Sequence, residues 1–137
     1  MKAVPPTLFS SSIIRLETVY PHEATNDQVN LLFFTIAQSN NTSLKKIETH
    51  SIDFTMLSPE LFSKAVLRME DVDLGDSHVT AEQVKAVLAL IVKAEHLKLK
   101  KFSVSVFFDE DDEDIDLLLL SKAEERVKLT MDEYVYE

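Results

Sequence analysis

A short pattern of apolar residues recurs along the chain, with apolar residues at its first, fourth and usually sixth positions. We call this pattern the apolar frame. The fourth positions follow one another at intervals of 25 to 30 residues. Apolar residues that alternate with polar ones over a few positions are typical of a short β-strand. We therefore predict a strand at each of four copies, with a fifth, weaker copy at residues 126–131 that lacks one residue of the frame. The four copies are Leu16/Val19, Leu44/Ile47/Thr49, Met69/Val72/Leu74 and Leu99/Phe102/Val104.

Three helix starts are visible between these strands. Residues 25–28 and 80–83 both begin with Thr and end with Gln, and this pattern fits a capping box that satisfies amide groups at the start of a helix. Ser58 precedes Pro59, and proline suits the first position of a helix because it has no N–H to satisfy. Apolar residues then follow at helical spacing and predict amphipathic helices. They are Val29, Leu32, Phe33 and Ile36 after the first start, and Val84, Val87, Leu88 and Ile91 after the third.

The chain also nearly repeats itself after 55 residues. The segment from Thr25 to Ile47 recurs as the segment from Thr80 to Phe102. A unit of one strand and one helix cannot bury the apolar face of its helix alone, so successive units must stack side by side. This predicts an α/β fold with a parallel sheet on one side and helices on the other. In that fold Ile47, Val72 and Phe102 lie on adjacent strands.

Residues 58–74 and 79–88 resemble the leucine-rich repeat family. The likeness is to its longer, intracellular, ribonuclease-inhibitor-like subtype, whose units of about 28 residues alternate between two kinds. The resemblance implies a solenoid of about four to five strand-helix units with the parallel sheet on the concave side and the helices on the convex side. Three departures from the family pattern are the polar Thr49, the position of Pro21 in the first unit, and the missing Asn or Cys after the strand.

Length and composition predict one globular domain. The chain has 137 residues, of which 45% are hydrophobic and 28% charged, and these values are typical of a folded protein. We expect a single leucine-rich repeat domain over residues 1–137. Within it, residues 1–24 are predicted to form an irregular N-terminal cap and the first strand, residues 109–114 an acidic loop insertion, and residues 126–137 a C-terminal cap.

Charge and cysteine content narrow the classes of function. The net charge of −10 argues against a nucleic-acid partner, because that affinity depends on clustered lysine and arginine. The absence of cysteine excludes disulfides and thiolate metal sites. Neither a secretory signal nor the roughly 20 apolar residues of a membrane span is visible. We expect a soluble, cytoplasmic protein without a membrane partner.

The resemblance also implies how the protein works. Members of the family present exposed strand residues to protein ligands, so a non-enzymatic protein-protein interaction scaffold is the expected function. The residues expected to bind a partner are Tyr20, Glu48, His50, Asp71, Asp73 and Ser103; Glu17, Thr18 and Ser105 are also expected to face solvent. This mixed to acidic surface favours a basic protein partner, mainly through faster encounter. Charge reversal at Asp71 and Asp73 is expected to weaken binding without lowering the melting temperature.

Sites of other kinds have weaker support in the sequence. His22 and His50 could lie side by side, yet no third ligand in matching register is evident, so no metal site is assigned. Residues 109–114 lack the spaced ligands and the glycine of a calcium loop, and like charges favour a solvated loop there. Arg15, Arg68 and Arg126 recur in several units, which favours a packing or solubilising role over a catalytic one.

No enzymatic activity is predicted, and no catalytic residue or cofactor is assigned. One alternative is a small α/β enzyme or ligand-binding domain with a pocket at the strand ends. Another is a fragment or subunit of a larger receptor, ubiquitin-ligase or GTPase-regulator assembly. Phe107 and Phe108 are expected in a core strand and Leu117 to Leu120 in a core helix, and an exposed patch for self-association is the alternative for these residues.

Overall fold

The computed structural model describes residues 18–19, 25–38, 44–108 and 115–135. Across these ranges the chain alternates strands with helices. The strands are β1 (Thr18–Val19), β2 (Lys46–Glu48), β3 (Asp71–Asp73), β4 (Val79–Thr80), β5 (Lys101–Phe108) and β6 (Lys128–Val135). The helices are α1 (Asn26–Gln38), α2 (Pro59–Leu67), α3 (Ala81–Lys93) and α4 (Leu117–Glu124).

The described strands form one sheet, and every strand pair in it is parallel. Strands β1, β2, β3, β5 and β6 are neighbours in chain order, while β4 pairs with the second half of β5. The predicted register is confirmed, because Ile47 pairs with Val72 and Val72 pairs with Phe102. The weaker fifth copy continues it, since Phe102 pairs with Leu129.

The three predicted helix starts are confirmed. The Gln28 N–H donates to the Thr25 hydroxyl at 3.1 Å, and the Thr25 N–H donates to the Gln28 side chain at 2.9 Å. Thr80 and Gln83 form the same reciprocal pair at the start of α3. At α2 the hydroxyl of Ser58 accepts from the Leu61 N–H at 3.2 Å. Local sequence alone therefore determines where these helices begin.

The helices pack side by side in chain order, and their apolar faces meet one face of the sheet in a single core. Ile47, Val72 and Phe102 are fully buried there. A cluster of three phenylalanines joins the first two helices: the ring centroids of Phe33 and Phe54 lie 4.8 Å apart, and those of Phe54 and Phe62 lie 5.7 Å apart. Because Phe54 comes from the loop between β2 and α2, this cluster connects consecutive units.

Polar side chains also connect consecutive units. Gln83 not only caps α3 but also donates through Nε2 to the carbonyls of Phe54 and Leu57, at 2.6 and 2.9 Å. Asn30 on α1 donates to the Asp53 carbonyl at 2.8 Å. Hydrogen bonds from the hydroxyl and the N–H of Thr55 hold the pKa of the Asp53 carboxyl below its ordinary value. These bonds tie the loops that follow the strands to the helices beside them.

Thr49 occupies a core position, as the apolar frame predicts. Its side chain is 2% exposed, and its hydroxyl has no hydrogen-bond partner in the described part of the chain. Its N–H donates to the Asp73 carbonyl at 2.9 Å and so continues the pairing of β2 with β3. The side chain is therefore a polar group in a site built for an apolar one.

The last unit differs from the sequence-based expectation in one respect. Phe107 and Phe108 lie in β5, as predicted. On α4, however, the side chains of Leu117 and Leu118 are 79% and 62% exposed, so the prediction of a core helix is wrong for these two residues. Among the described helices α4 is the last in the row, so it has a helix on one side only, α3, besides its contact with β6. Ala123 is its one fully buried residue.

Substitution of Phe54 by alanine is expected to lower the free energy of unfolding by about 3–5 kcal/mol, because it removes a buried ring that contacts two others. Phe34→Ala on α1 is the matched control, since Phe34 is 42% exposed, and it is expected to cost much less. Urea unfolding of both variants measures the difference. Equal costs would contradict the packing described here.

Thr49→Val is expected to raise the free energy of unfolding by about 1 kcal/mol, because a methyl group replaces a buried hydroxyl that makes no hydrogen bond. Thr35→Val is the control, because the Thr35 hydroxyl donates to the Leu31 carbonyl at 2.8 Å and that bond is lost. Thermal and urea unfolding measure both changes. A destabilised Thr49→Val variant would show that the hydroxyl has a partner.

Candidate protein-binding face

One face of the sheet is left open by the helices. Residues of a strand point alternately to its two faces, so the neighbours of the buried Ile47, Val72 and Phe102 project away from the core. Their side chains line a shallow depression of ≈ 200 Å³ that is open to solvent. We call this surface the open sheet face; its residues are Lys46, Glu48, Asp71, Asp73, Lys101, Ser103, Lys128 and Thr130.

The strand register arranges the open sheet face in two rows of unlike charge. The first row crosses the starts of the strands and consists of three lysines and one aspartate: Lys46, Asp71, Lys101 and Lys128. The second row consists of two carboxylates and two hydroxyls: Glu48, Asp73, Ser103 and Thr130. The face is therefore basic along one row and acidic along the next.

Charges within the first row are only partly neutralised. Lys46 Nζ lies 3.8 Å from Asp71 Oδ2, and both side chains are partly exposed, so this ion pair contributes little to stability. Lys101 and Lys128 form no ion pair with any carboxylate in the described ranges. Two lysine side chains on this face are thus available to an acidic group from outside.

The structure brings together four of the residues selected from the sequence. Glu48, Asp71, Asp73 and Ser103 all lie on the open sheet face and are half-buried. His50 is exposed and lies just beyond the second row, where its Cβ approaches Gly75. Tyr20, Glu17 and His22 lie outside the described residues, and for Thr18 the structure describes only its pairing with Lys46.

Sequence reasoning missed the lysines of the first row. Lys46, Lys101 and Lys128 each come one residue before the aligned strand residue, at the position that Asp71 occupies in β3. That shared position is the signal that could have identified them. The expectation of a mixed to acidic surface therefore leaves out its basic half.

Ser105 does not face solvent, contrary to the expectation. It is 5% exposed, and its hydroxyl donates to the Gly75 carbonyl at 2.8 Å. Gly75 has a φ of +52°, a conformation that glycine adopts without steric cost, and an added Cβ would lie 3.2 Å from His50 Cβ. The chain turns sharply here after β3, and Ser105 holds that turn against β5.

Asp73 belongs to this turn as well as to the open sheet face. Its Oδ1 accepts a hydrogen bond from the Gly75 N–H at 3.0 Å. Charge reversal at this position would remove that bond along with the negative charge. Charge reversal at Asp73 was expected to affect partner binding alone, but it would also remove this hydrogen bond. Replacement of Asp73 by asparagine, which is neutral and isosteric, is the cleaner test of partner binding.

A second shallow depression lies farther along the strands. It has a volume of ≈ 330 Å³ and opens to solvent, and the residues that line it are Asp73, Gly75, Asp76, Ser103, Val104, Ser105, Thr130 and Asp132. Within the described part of the chain, no group of three or more His, Cys, Asp or Glu residues is placed to hold a metal ion. The carboxylates of the second depression, Asp73, Asp76 and Asp132, therefore add to the negative charge of the second row.

Comparison with known proteins finds no matching family model, no matching curated protein and no matching solved structure. No helix in the described ranges is long and apolar enough to cross a membrane.

Asp73→Ala is expected to lower the free energy of unfolding by about 1 kcal/mol, because the Gly75 N–H loses its acceptor. Asp73→Asn retains a side-chain oxygen at the same place and is expected to keep most of the stability. Urea unfolding compares the two variants. If both lost the same amount, the carboxylate charge and not the hydrogen bond would be the important feature.

Proposed function

We propose that this protein is a non-enzymatic scaffold that binds a protein partner through the open sheet face. The proposal is supported by the in-register array of charged and hydroxyl side chains on the face of the parallel sheet that lies opposite the described helices. Such an array offers an extended, shallow surface instead of an enclosed pocket, and protein partners fit surfaces of this kind.

A solenoid of the leucine-rich repeat type is the architecture that belongs to this proposal. It is supported by five parallel strands that are neighbours in chain order, each pair joined by one described helix. It is also supported by the shared register of Val19, Ile47, Val72, Phe102 and Leu129. The family's mode of binding, through exposed strand residues, is the mode proposed for this chain.

The charge pattern defines the partner's chemistry. A partner would direct a basic group at the row that holds Glu48 and Asp73, and an acidic group at Lys101 and Lys128. The expected basic partner thus needs an acidic element beside its basic one. Complementary charge speeds encounter and fixes the orientation of the partner more than it raises affinity. A protein surface meets this requirement, and the net charge of −10 disfavours nucleic acid.

The alternative is a small α/β enzyme or ligand-binding domain with a pocket at the strand ends. The second depression, with Asp76, Ser105 and Asp132, lies on that side of the face. It is open to solvent, whereas ligand pockets enclose most of their ligand. The observations favour the scaffold for this reason, and a saturable effect of a small ligand on the melting temperature would favour the alternative.

The double variant Glu48→Lys with Lys101→Glu tests the proposal. It reverses one charge in each row and leaves the net charge unchanged. Proteins retained by the immobilised wild-type chain from a native extract are expected to be lost on this variant. For a purified partner, the dissociation constant is expected to rise on the order of ten-fold. Isothermal titration calorimetry measures that change.

Lys93→Glu with Glu95→Lys is the matched control. Both residues are exposed at the end of α3, away from the open sheet face, and this pair of changes also preserves the net charge. The control is expected to bind like the wild type, and both double variants are expected to melt at the wild-type temperature. Equal retention of the partner by the face variant and the wild type would contradict the proposed function.

A further inference from the structure

Strand β6 lies at one edge of the sheet that the structure describes. Among the strands that the structure describes, β6 pairs with β5 alone, at every residue from Lys128 to Val135. An edge strand presents a row of backbone N–H and C=O groups with which another strand can pair. Proline, bulges and charged side chains often prevent this in other proteins. β6 contains neither proline nor a bulge, and its charged residues include both signs, with Lys128 and Asp132 four residues apart. Its outer edge is therefore suited to accept a further strand.

The outward backbone groups of β6 belong to its odd-numbered residues. The Lys128 N–H donates to the Lys100 carbonyl at 2.9 Å, so Lys128 directs its backbone groups toward β5. Backbone groups of successive residues point to opposite sides of a strand. Leu129, Met131 and Glu133 therefore direct theirs away from the sheet, and any strand that joins β6 must pair with these residues.

The sequence of β6 is complementary to a second copy of itself in antiparallel orientation. If a two-fold axis passes beside Thr130, Leu129 of each copy lies opposite Met131 of the other, and their outward backbone groups meet. In the same register the exposed Lys128 of each copy lies opposite the exposed Asp132 of the other, so two such pairs form. Opposite charges at such positions stabilise a strand pair, and like charges destabilise it. An axis beside Asp132 would instead place two carboxylates opposite each other.

The last helix supplies apolar surface at the same end of the molecule. Leu117 and Leu118 are the most exposed leucines described, at 79% and 62%. Their helix, α4, contacts β6, so the α4 of a second copy would come alongside on the helix side of the sheet. Burial of exposed leucines would add a hydrophobic contribution to the strand pairing.

We propose that β6 is a self-association edge, through which two copies of this chain join by antiparallel pairing centred on Thr130. The two-fold axis of such a pair stands perpendicular to the sheet. The open sheet faces of the two copies therefore lie on the same side and become continuous. This pairing does not rest on the proposed function. It engages Lys128 at the border of the open sheet face, and it would present the two open sheet faces next to each other.

Two single variants, Asp132→Lys and Lys128→Asp, test the proposal. Each places like charges opposite each other at both symmetric positions, so the dissociation constant of the dimer is expected to rise on the order of ten-fold. An equimolar mixture of the two variants makes both positions complementary again, and a heterodimer is expected to form with about the affinity of the wild type. Sedimentation velocity over a concentration series measures the association of the wild type, of each variant and of the mixture.

Lys93→Asp on α3 is the control and is expected to dimerise like the wild type. All variants are expected to fold, because Lys128 and Asp132 are exposed. Circular dichroism checks this. A wild-type chain that remains monomeric over the whole concentration series would overturn the proposal. So would a dimer that neither single variant weakens, or a mixture of the two variants that does not recover association.

Discussion

Each strand-helix unit of this protein can bury its apolar face only against the neighbouring units, and this requirement determines both the register of the sheet and its exposed surface. Strands β1, β2 and β3 have only two or three residues each, too few to be stable without neighbours. Ile47, Val72 and Phe102 are fully buried because each has a paired strand beside it and helices behind it. A shared register follows, since a shift of one residue would turn the apolar side chains toward solvent.

The same constraint creates the open sheet face. Once the apolar residues of the strands face the helices, the residues between them must face the other way, and their order follows from the register. The lysines of the first row and the carboxylates of the second row are thus aligned by the core and not by contacts with one another. Polar connections from Gln83, Asn30 and Ser105 fasten the loops that follow the strands, and none of the described helices lies on the open sheet face.

Local signals in the sequence predicted much of this arrangement. The capping residues Thr25, Ser58 and Thr80 act within one turn of helix, and the apolar frame reports directly on burial, so helix starts and register could be derived. Features that depend on contacts between distant residues could not be derived from the sequence. The bond from Ser105 to Gly75 joins positions 30 residues apart, and the exposure of Leu117 and Leu118 depends on which elements pack against α4. The candidate site was half predicted. The two carboxylates of its second row, together with Asp71 and Ser103, were selected as solvent-facing strand positions, while the lysines at the frame position of Asp71 were not.

Nuclear Overhauser effects between backbone protons of neighbouring strands show directly whether the strands lie side by side in chain order. Side-by-side stacking predicts cross-strand effects of the parallel pattern between Ile47 and Val72, between Val72 and Phe102, and between Phe102 and Leu129, with slow exchange of the amide protons in these strands. It predicts none between Ile47 and Phe102, which are separated by β3. Absence of the first three effects, or an antiparallel pattern among them, would contradict the stacked arrangement and the open sheet face that depends on it.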